Sequence, residues 1–173
     1  LASAQRKGQD FSLILLDLDR FKSVNDTYGH ETGDRVIMHA VETAKKLLPS
    51  NALFARYGGE EFAIALPGAP LEETAELAEH IRAALEADPL PLGGGAGLTG
   101  AGGDGRRSLV VTASFGVTSA GGAGGAGSPA DDAESNYSLE TLLHEADSAL
   151  YKAKQAGRNA VRTASRLRAN AAE

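Results

Sequence analysis

Three acidic side chains, Asp17, Glu60 and Glu61, stand where chemistry is easiest to place. Asp17 ends the apolar run Ser12-Leu13-Ile14-Leu15-Leu16, and Glu60 follows Tyr57-Gly58-Gly59, with Glu61-Phe62 next. If the two segments are neighbouring strands of one sheet, the carboxylates of Asp17 and Glu60 converge at the strand tips. Two carboxylates at close range cannot both ionise cheaply, so they either share a proton or hold a cation. Hard oxygen donors of this kind suit Mg²⁺, with Mn²⁺ as a substitute, because Mg²⁺ commonly takes one or two carboxylates plus phosphate oxygens. The competing reading makes these acids solvated turn and cap residues, the usual fate of Asp and Glu at strand ends.

The residues after Asp17 extend the same chemistry. A helix expected over Arg20 to Asp26, with Asp19 or a residue nearby as its N-cap, would turn free N–H groups and a positive dipole end toward a phosphate held at Asp17. Lys22 adds a charge to the same phosphates, or is an ordinary surface lysine. Asn25 and Asp34 flank the Gly29-His30 turn and could lie on facing helices. A carboxylate accepting from the N1–H and N2–H₂ edge of guanine, beside an amide, is a guanine reader. As purely local structure, Asn25 is instead a cap and Asp34 a first-turn partner of the helix dipole.

The elements that must hold these residues follow from periodicity. Residues 12–16 read as a central strand covered on both faces. Ile37, Ala40, Val41, Ala44, Leu47 and Leu48 recur at helical spacing and mark a helix closed by Pro49. Strands over Ala52–Arg56 and Glu61–Leu66 flank a Gly-Gly turn, a hairpin signal because both glycines accept positive φ. A helix is expected over Pro70–Ala87, with Leu71, Ala75, Ala78, Ile81 and Leu85 on one face. A strand over Leu109–Val117 follows, then a helix carrying Leu139, Leu142, Leu143, Ala146, Leu150 and Ala153 that ends at Gly157. A short strand at Ala160–Arg162 completes the order β-α-α-β-β-α-β-α-β. The fold class is α+β: a mixed central sheet flanked by helices, of ferredoxin-like or polymerase-palm-like architecture. Gly93–Gly105 and Gly121–Gly127 hold most of the glycines and read as flexible loop insertions.

Composition bounds what the chain can be. Its 173 residues fit one domain, spanning 1–173 with a core of about 10–162, which buries roughly 70% of the unfolded surface. The net charge of −6 argues against a nucleic-acid polymer as partner, whose binder would be basic. A phosphate-bearing small molecule remains compatible, because a metal ion can bridge carboxylates to phosphates. With no Cys, disulfide scaffolds and thiolate metal sites are excluded. No apolar run reaches the roughly 18–20 residues of a membrane span. The first residues contain neither Met nor a signal-peptide apolar region, so a cytoplasmic domain cut from a longer protein, without membrane contact, is expected.

The motifs together resemble a known family. Arg56-Tyr57-Gly58-Gly59-Glu60-Glu61-Phe62 is similar to the signature of GGDEF domains, the diguanylate cyclases, in its GGEEF form. Asp17-Leu18-Asp19-Arg20-Phe21-Lys22-Ser23-Val24-Asn25-Asp26-Thr27-Tyr28-Gly29-His30 with Gly33-Asp34 resembles the family's other long motif. Ala113-Ser114-Phe115-Gly116-Val117, Ala146-Asp147 and Tyr151 through Asn159 resemble its last strand and helix. The likeness covers about residues 10–162 outside the Gly-rich insertions.

The resemblance implies condensation of two GTP molecules into cyclic di-GMP and two pyrophosphates, with two copies of the domain facing each other. It implies that Asp17, the Leu18 carbonyl and Glu60 ligate Mg²⁺, and that Asn25 and Asp34 read guanine with His30 beside the nucleotide. The amides around Phe21 and Lys22, with Lys154 and Arg158, would hold the phosphates, and Lys22 would stabilise the transition state. Glu60, or Glu61 beside it, would accept the 3′-OH proton. Adenine would leave Asp34 and Asn25 unpaired, and sites of that type discriminate by roughly 10⁴ or more. Two family features are missing. The product-inhibition motif Arg-x-x-Asp is replaced by Pro49-Ser50-Asn51-Ala52, implying no feedback through such a site, and no Asp-x-Leu-Thr stretch precedes the first strand. The alternatives are a catalytically silent GTP-binding regulatory module and, more remotely, a palm acting on another nucleotide.

Overall fold

A computed structural model of the chain describes residues 9–92, 107–120 and 138–164. The apolar run forms strand β1 (Phe11–Leu18), all eight of whose residues are buried. A strand covered on both faces has no solvent side to alternate toward, hence its continuous apolar sequence. Helices α1 (Phe21–Tyr28) and α2 (His30–Leu47) follow, then the hairpin β2 (Leu53–Arg56) and β3 (Glu61–Pro67) and helix α3 (Leu71–Ala87). Short strands β4 (Leu90–Leu92) and β5 (Arg107–Leu109) precede β6 (Ala113–Ala120), helix α4 (Leu139–Gln155) and β7 (Val161–Thr163).

The main sheet has the order β2-β3-β1-β6-β7, antiparallel throughout except for the parallel β6–β7 pair. It is the mixed sheet expected of an α+β fold, with β1 at its centre. Alternation along β1 sorts the core into two layers. Ile14, Leu16 and Leu18 share one layer with Val36 of α2 and Ile81 of α3. Phe11, Leu13 and Leu15 share the other with Leu142, Ala146 and Leu150 of α4.

Two charged residues continue that second layer. Asp17 is the next β1 position of the Phe11-Leu13-Leu15 set, and Lys154 is the next helical step after Leu142, Ala146 and Leu150. Helix α4 comes close to the sheet because β6 carries Gly116, where a Cβ would collide with the backbone of Ala146 and Leu150. The glycine thereby brings Lys154 down onto the end of β1.

Several expectations are corrected. The N-cap of α1 falls next to Asp19, at Arg20 in a left-handed conformation (φ 56°), and no side chain caps the helix. Gly58 and Gly59 are not among the positive-φ glycines, which are Gly29, Gly68 and Gly157 within the described residues. The Tyr57 and Gly58 N–H groups both donate to the Glu61 carbonyl, at 2.8 and 3.1 Å, so the turn closes without left-handed backbone. Gly58 serves by lacking a Cβ, which would meet the Glu61 carboxylate. The stretch read as one strand over Leu109–Val117 is two: Leu109 pairs with Leu90 in a separate two-stranded sheet, and β6 begins at Ala113. On α2 the buried face is Gly33, Val36, Ala40, Thr43 and Ala44, while Leu47 is exposed. The Gly-rich insertions 93–105 and 121–127 lie outside the described residues.

Candidate functional site

The site collects at the carboxyl end of β1. Antiparallel pairing sets Asp17 opposite Glu61, and the Leu18 N–H donates to the Glu60 carbonyl at 3.1 Å. Glu60, one residue before β3, is thus locked by its own backbone to the end of the strand that carries Asp17. Asp17 is only 7% exposed, and its Oδ2 lies 2.8 Å from Lys154 Nζ. Burial holds the Asp17 carboxyl above the ordinary aspartate range, more than the Lys154 hydrogen bond and charge pull it down. Glu60 is likewise raised, by burial first and then by the charge of Asp17. Burial is thus the leading cause at both acids, and the charge of Asp17 adds to it at Glu60.

That donor set fits a divalent cation. The Lys154 ammonium stands as a cation against one of two neighbouring carboxylates, and the donors are hard oxygens of the kind Mg²⁺ prefers. Among the described residues no three His, Asp, Glu or Cys side chains gather into a complete cage. Side chains alone would supply only part of the coordination, which is the way Mg²⁺ is usually held when phosphate oxygens complete the shell.

Helix α1 opens immediately beyond this point. Its first turn, with buried Phe21 and exposed Lys22, has no side-chain cap, so its leading N–H groups are available to an anion. Its far end meets α2 at Gly29 (φ 82°), a conformation that glycine adopts without strain. The elbow sets α1 against α2, and the Asn25 carboxamide lies over Gly33, filling the space a Cβ would take. Asp34 is the next residue, exposed, and His30 is exposed at the start of α2. Asn25 and Asp34 are thus brought to one elbow. Lys22, Asn25, His30 and Asp34 have no side-chain hydrogen bond or salt bridge to the described residues.

The opposite wall comes from the end of α4. Lys154 points to Asp17, and Arg158 sits in a turn where Gly157, Arg158 and Asn159 all have positive φ (111°, 69° and 43°). The charge of Arg158 reaches Asp17 and offsets a small part of the rise that burial causes there. Asp19 closes the floor: its Oδ2 accepts from Thr112 Oγ1 and the Asn159 N–H, both at 2.9 Å, and its Oδ1 accepts from Ser114 Oγ at 2.7 Å. Sequence reasoning missed Thr112, Ser114 and Asn159, because all three partners of Asp19 come from more than 90 residues away. The usable signal was the Asn at the end of Gly157-Arg158-Asn159, since Asn tolerates left-handed backbone better than most residues.

Known proteins place the chain in a family. Residues 1–160 match the family model described as diguanylate cyclase, GGDEF domain. The chain is 35% identical over 164 residues to diguanylate cyclase DgcP of Pseudomonas aeruginosa, covering 95% of this chain and 21% of that protein. It is 34% identical over 154 residues to response regulator PleD of Caulobacter vibrioides, covering 89% of this chain and 29% of that protein. It therefore spans less than a third of the length of these curated relatives. Among solved structures, the GGDEF domain of DgcB from Caulobacter crescentus in complex with c-di-GMP superposes with a TM-score of 0.76 at 30% identity, over 94% of this chain and 82% of that one. The active GGEEF domain of a diguanylate cyclase from Vibrio cholerae gives 0.76 at 27% identity, over 95% and 89%. The chain belongs to the GGDEF domain family.

Proposed function

We propose that this GGDEF domain is a diguanylate cyclase, which condenses two GTP molecules into cyclic di-GMP and releases two pyrophosphates. What supports the reading most is the Asp17–Glu60 pair, two carboxylates whose pKa values burial raises, held together at a strand end beside an uncapped helix N-terminus. In this reading Asp17, Glu60 and the Leu18 carbonyl hold Mg²⁺. When bound, the ion neutralises charge on the reacting phosphate and on the departing pyrophosphate.

The chain's own residues then divide the work. Asn25 and Asp34 orient guanine, with His30 at the side of the nucleotide. The α1 amides around Phe21 and Lys22 take phosphate oxygens from one side, and Lys154 and Arg158 from the other. Lys22 meets the charge that builds on the phosphate as the 3′-oxygen attacks. Glu60 accepts the 3′-OH proton, with Glu61 as the second candidate. One domain binds one GTP, so a second copy supplies the attacking 3′-OH.

The test is incubation of the chain at high concentration with GTP and Mg²⁺, followed by mass detection of cyclic di-GMP. Product rising more steeply than linearly with protein concentration is expected for a site shared by two copies. GTP binding without product, even when the chain is fused to a dimerising helix, would instead identify a silent GTP-binding module.

A further inference from the structure

Asn159 belongs to no catalytic assignment made above, yet its N–H and both ends of its side-chain amide are engaged. Its N–H donates to Asp19 Oδ2, its Oδ1 accepts from Arg82 Nη1, and its Nδ2 donates to Glu86 Oε1, each at 2.9 Å. Arg82 and Glu86 lie on α3, a helix that contributes nothing to the acid pair. Arg82 is itself pinned: Nε and Nη2 reach Glu79 at 2.8 and 2.7 Å, and Nη1 reaches Glu86 at 2.8 Å, with its side chain 16% exposed. These carboxylates hold the guanidinium firmly charged. A fork fixed in this way has little rotamer freedom left to lose when it engages Asn159.

The turn it grips needs such a grip. Arg158 and Asn159 are consecutive non-glycine residues in left-handed backbone. Each costs free energy relative to its relaxed conformation, and such residues persist only where the surroundings over-determine them. Asp19 fixes the turn from the sheet side and Arg82 with Glu86 from the helix side. The residues adjacent to this clamp are Arg158 on one strand of the connection and Leu18 on the other.

We propose that Arg82 and Glu86 are positioning residues, which act through Asn159 to hold the 157–159 turn and so aim Arg158 at the nucleotide's phosphates. The assignment rests on the reading that Arg158 meets the triphosphate. It makes α3 part of the nucleotide cradle without contact to the nucleotide.

The deciding variant is Asn159→Gly, which keeps the left-handed backbone and the N–H bond to Asp19 while deleting the link to α3. Arg82→Gln cuts the same link from the other side. Two readouts are taken on the whole chain at a temperature where every variant is folded: amide exchange across residues 157–160, and calorimetric affinity for α,β-methylene-GTP with Mg²⁺. Faster exchange in the turn and a fall in affinity of roughly tenfold to hundredfold are expected, the scale of remote misplacement in a positioned site. Asn159→Asp combined with Glu86→Gln re-forms the side-chain bond with donor and acceptor exchanged, and should recover most of the affinity lost in Asn159→Asp alone. Unchanged exchange, unchanged affinity or no recovery in the double variant overturns the proposal. An unmodified chain that binds the analogue but makes no cyclic di-GMP overturns the proposed activity and leaves this one standing or falling on its own readouts.

Discussion

At the end of β1, Asp17 is buried against Lys154 and Asp19 accepts from three donors, whereas at the α1–α2 elbow His30 and Asp34 are exposed and unpartnered among the described residues. The first region is held by contacts spanning most of the chain. The second is a local helix–glycine–helix turn whose polar side chains face solvent. A half-site wired into the core is pre-organised, and its charges are set by burial before any ligand arrives. An exposed half-site keeps its hydrogen-bonding groups hydrated and commits them only when a base replaces the water. The division matches the proposed chemistry: charge placement tolerates little error, while base recognition needs groups that are free to pair.

Asp17→Asn should break the wired half most sharply. Loss of the metal-ligand charge is worth several kcal/mol, so cyclic di-GMP formation should drop by about 10³-fold or more. Its effect on folding has the opposite sign. Burial raises the pKa of Asp17, so the folded, metal-free chain holds that proton more tightly than the unfolded chain does. Ionisation therefore costs stability above the folded pKa, and the cost is absent below the unfolded one. In EDTA, urea denaturation should find Asp17→Asn at least as stable as the parent at pH 7.5, with the gap closing as pH falls into the ordinary aspartate range. A variant less stable at neutral pH than at acid pH, relative to the parent, would show that Lys154 outweighs burial.

A matched pair of substitutions compares the halves directly. Asp19→Ala removes the shared acceptor of three donors and should cost about 1.5–3 kcal/mol in denaturant unfolding. Asp34→Ala should stay within about 0.5 kcal/mol, as exposed substitutions do, while collapsing the preference for GTP over ATP. Equal stability losses would erase the distinction between the two regions. The smallest effect is expected at Gly33→Ala, where the new methyl displaces the flexible end of Asn25 and not the backbone. GTP selectivity should fall by roughly tenfold or less, about one hydrogen bond's worth, with the fold intact. Discrimination between the two nucleotides by competition binding would measure it.

What could be read from sequence was whatever a short window contains. The β1 run, the Gly29 break, the α4 ladder and the hairpin before Glu61 all follow from local pattern, and with them the positions of Asp17, Glu60, Asn25 and Asp34. The role of Asp19 was not legible, because an Asp before a helix satisfies the capping rule equally well. Tertiary donors from Thr112, Ser114 and Asn159 outcompete the helix for it. The Lys154–Asp17 pair needed both the strand parity of β1 and the helical phase of α4, which meet only once Gly116 fixes their approach. The split between β5 and β6 was hidden for a related reason: apolar content continues through 109–117 while the pairing partner changes from β4 to β1. Periodicity reports burial, not the partner.

The bond from the Asn159 N–H to Asp19 joins residues 140 positions apart. During synthesis, Asp19 leaves the ribosome long before its partner exists. At about 5–20 residues per second, the delay is on the order of ten seconds. For most of that interval β1 lacks β6 on one side and α4 above it, and Asp19 is without the last of its three donors to the end. On the proposed function, the nascent chain thus has no assembled nucleotide cradle to offer, and the capacity to bind becomes a checkpoint passed only by a domain that has finished folding.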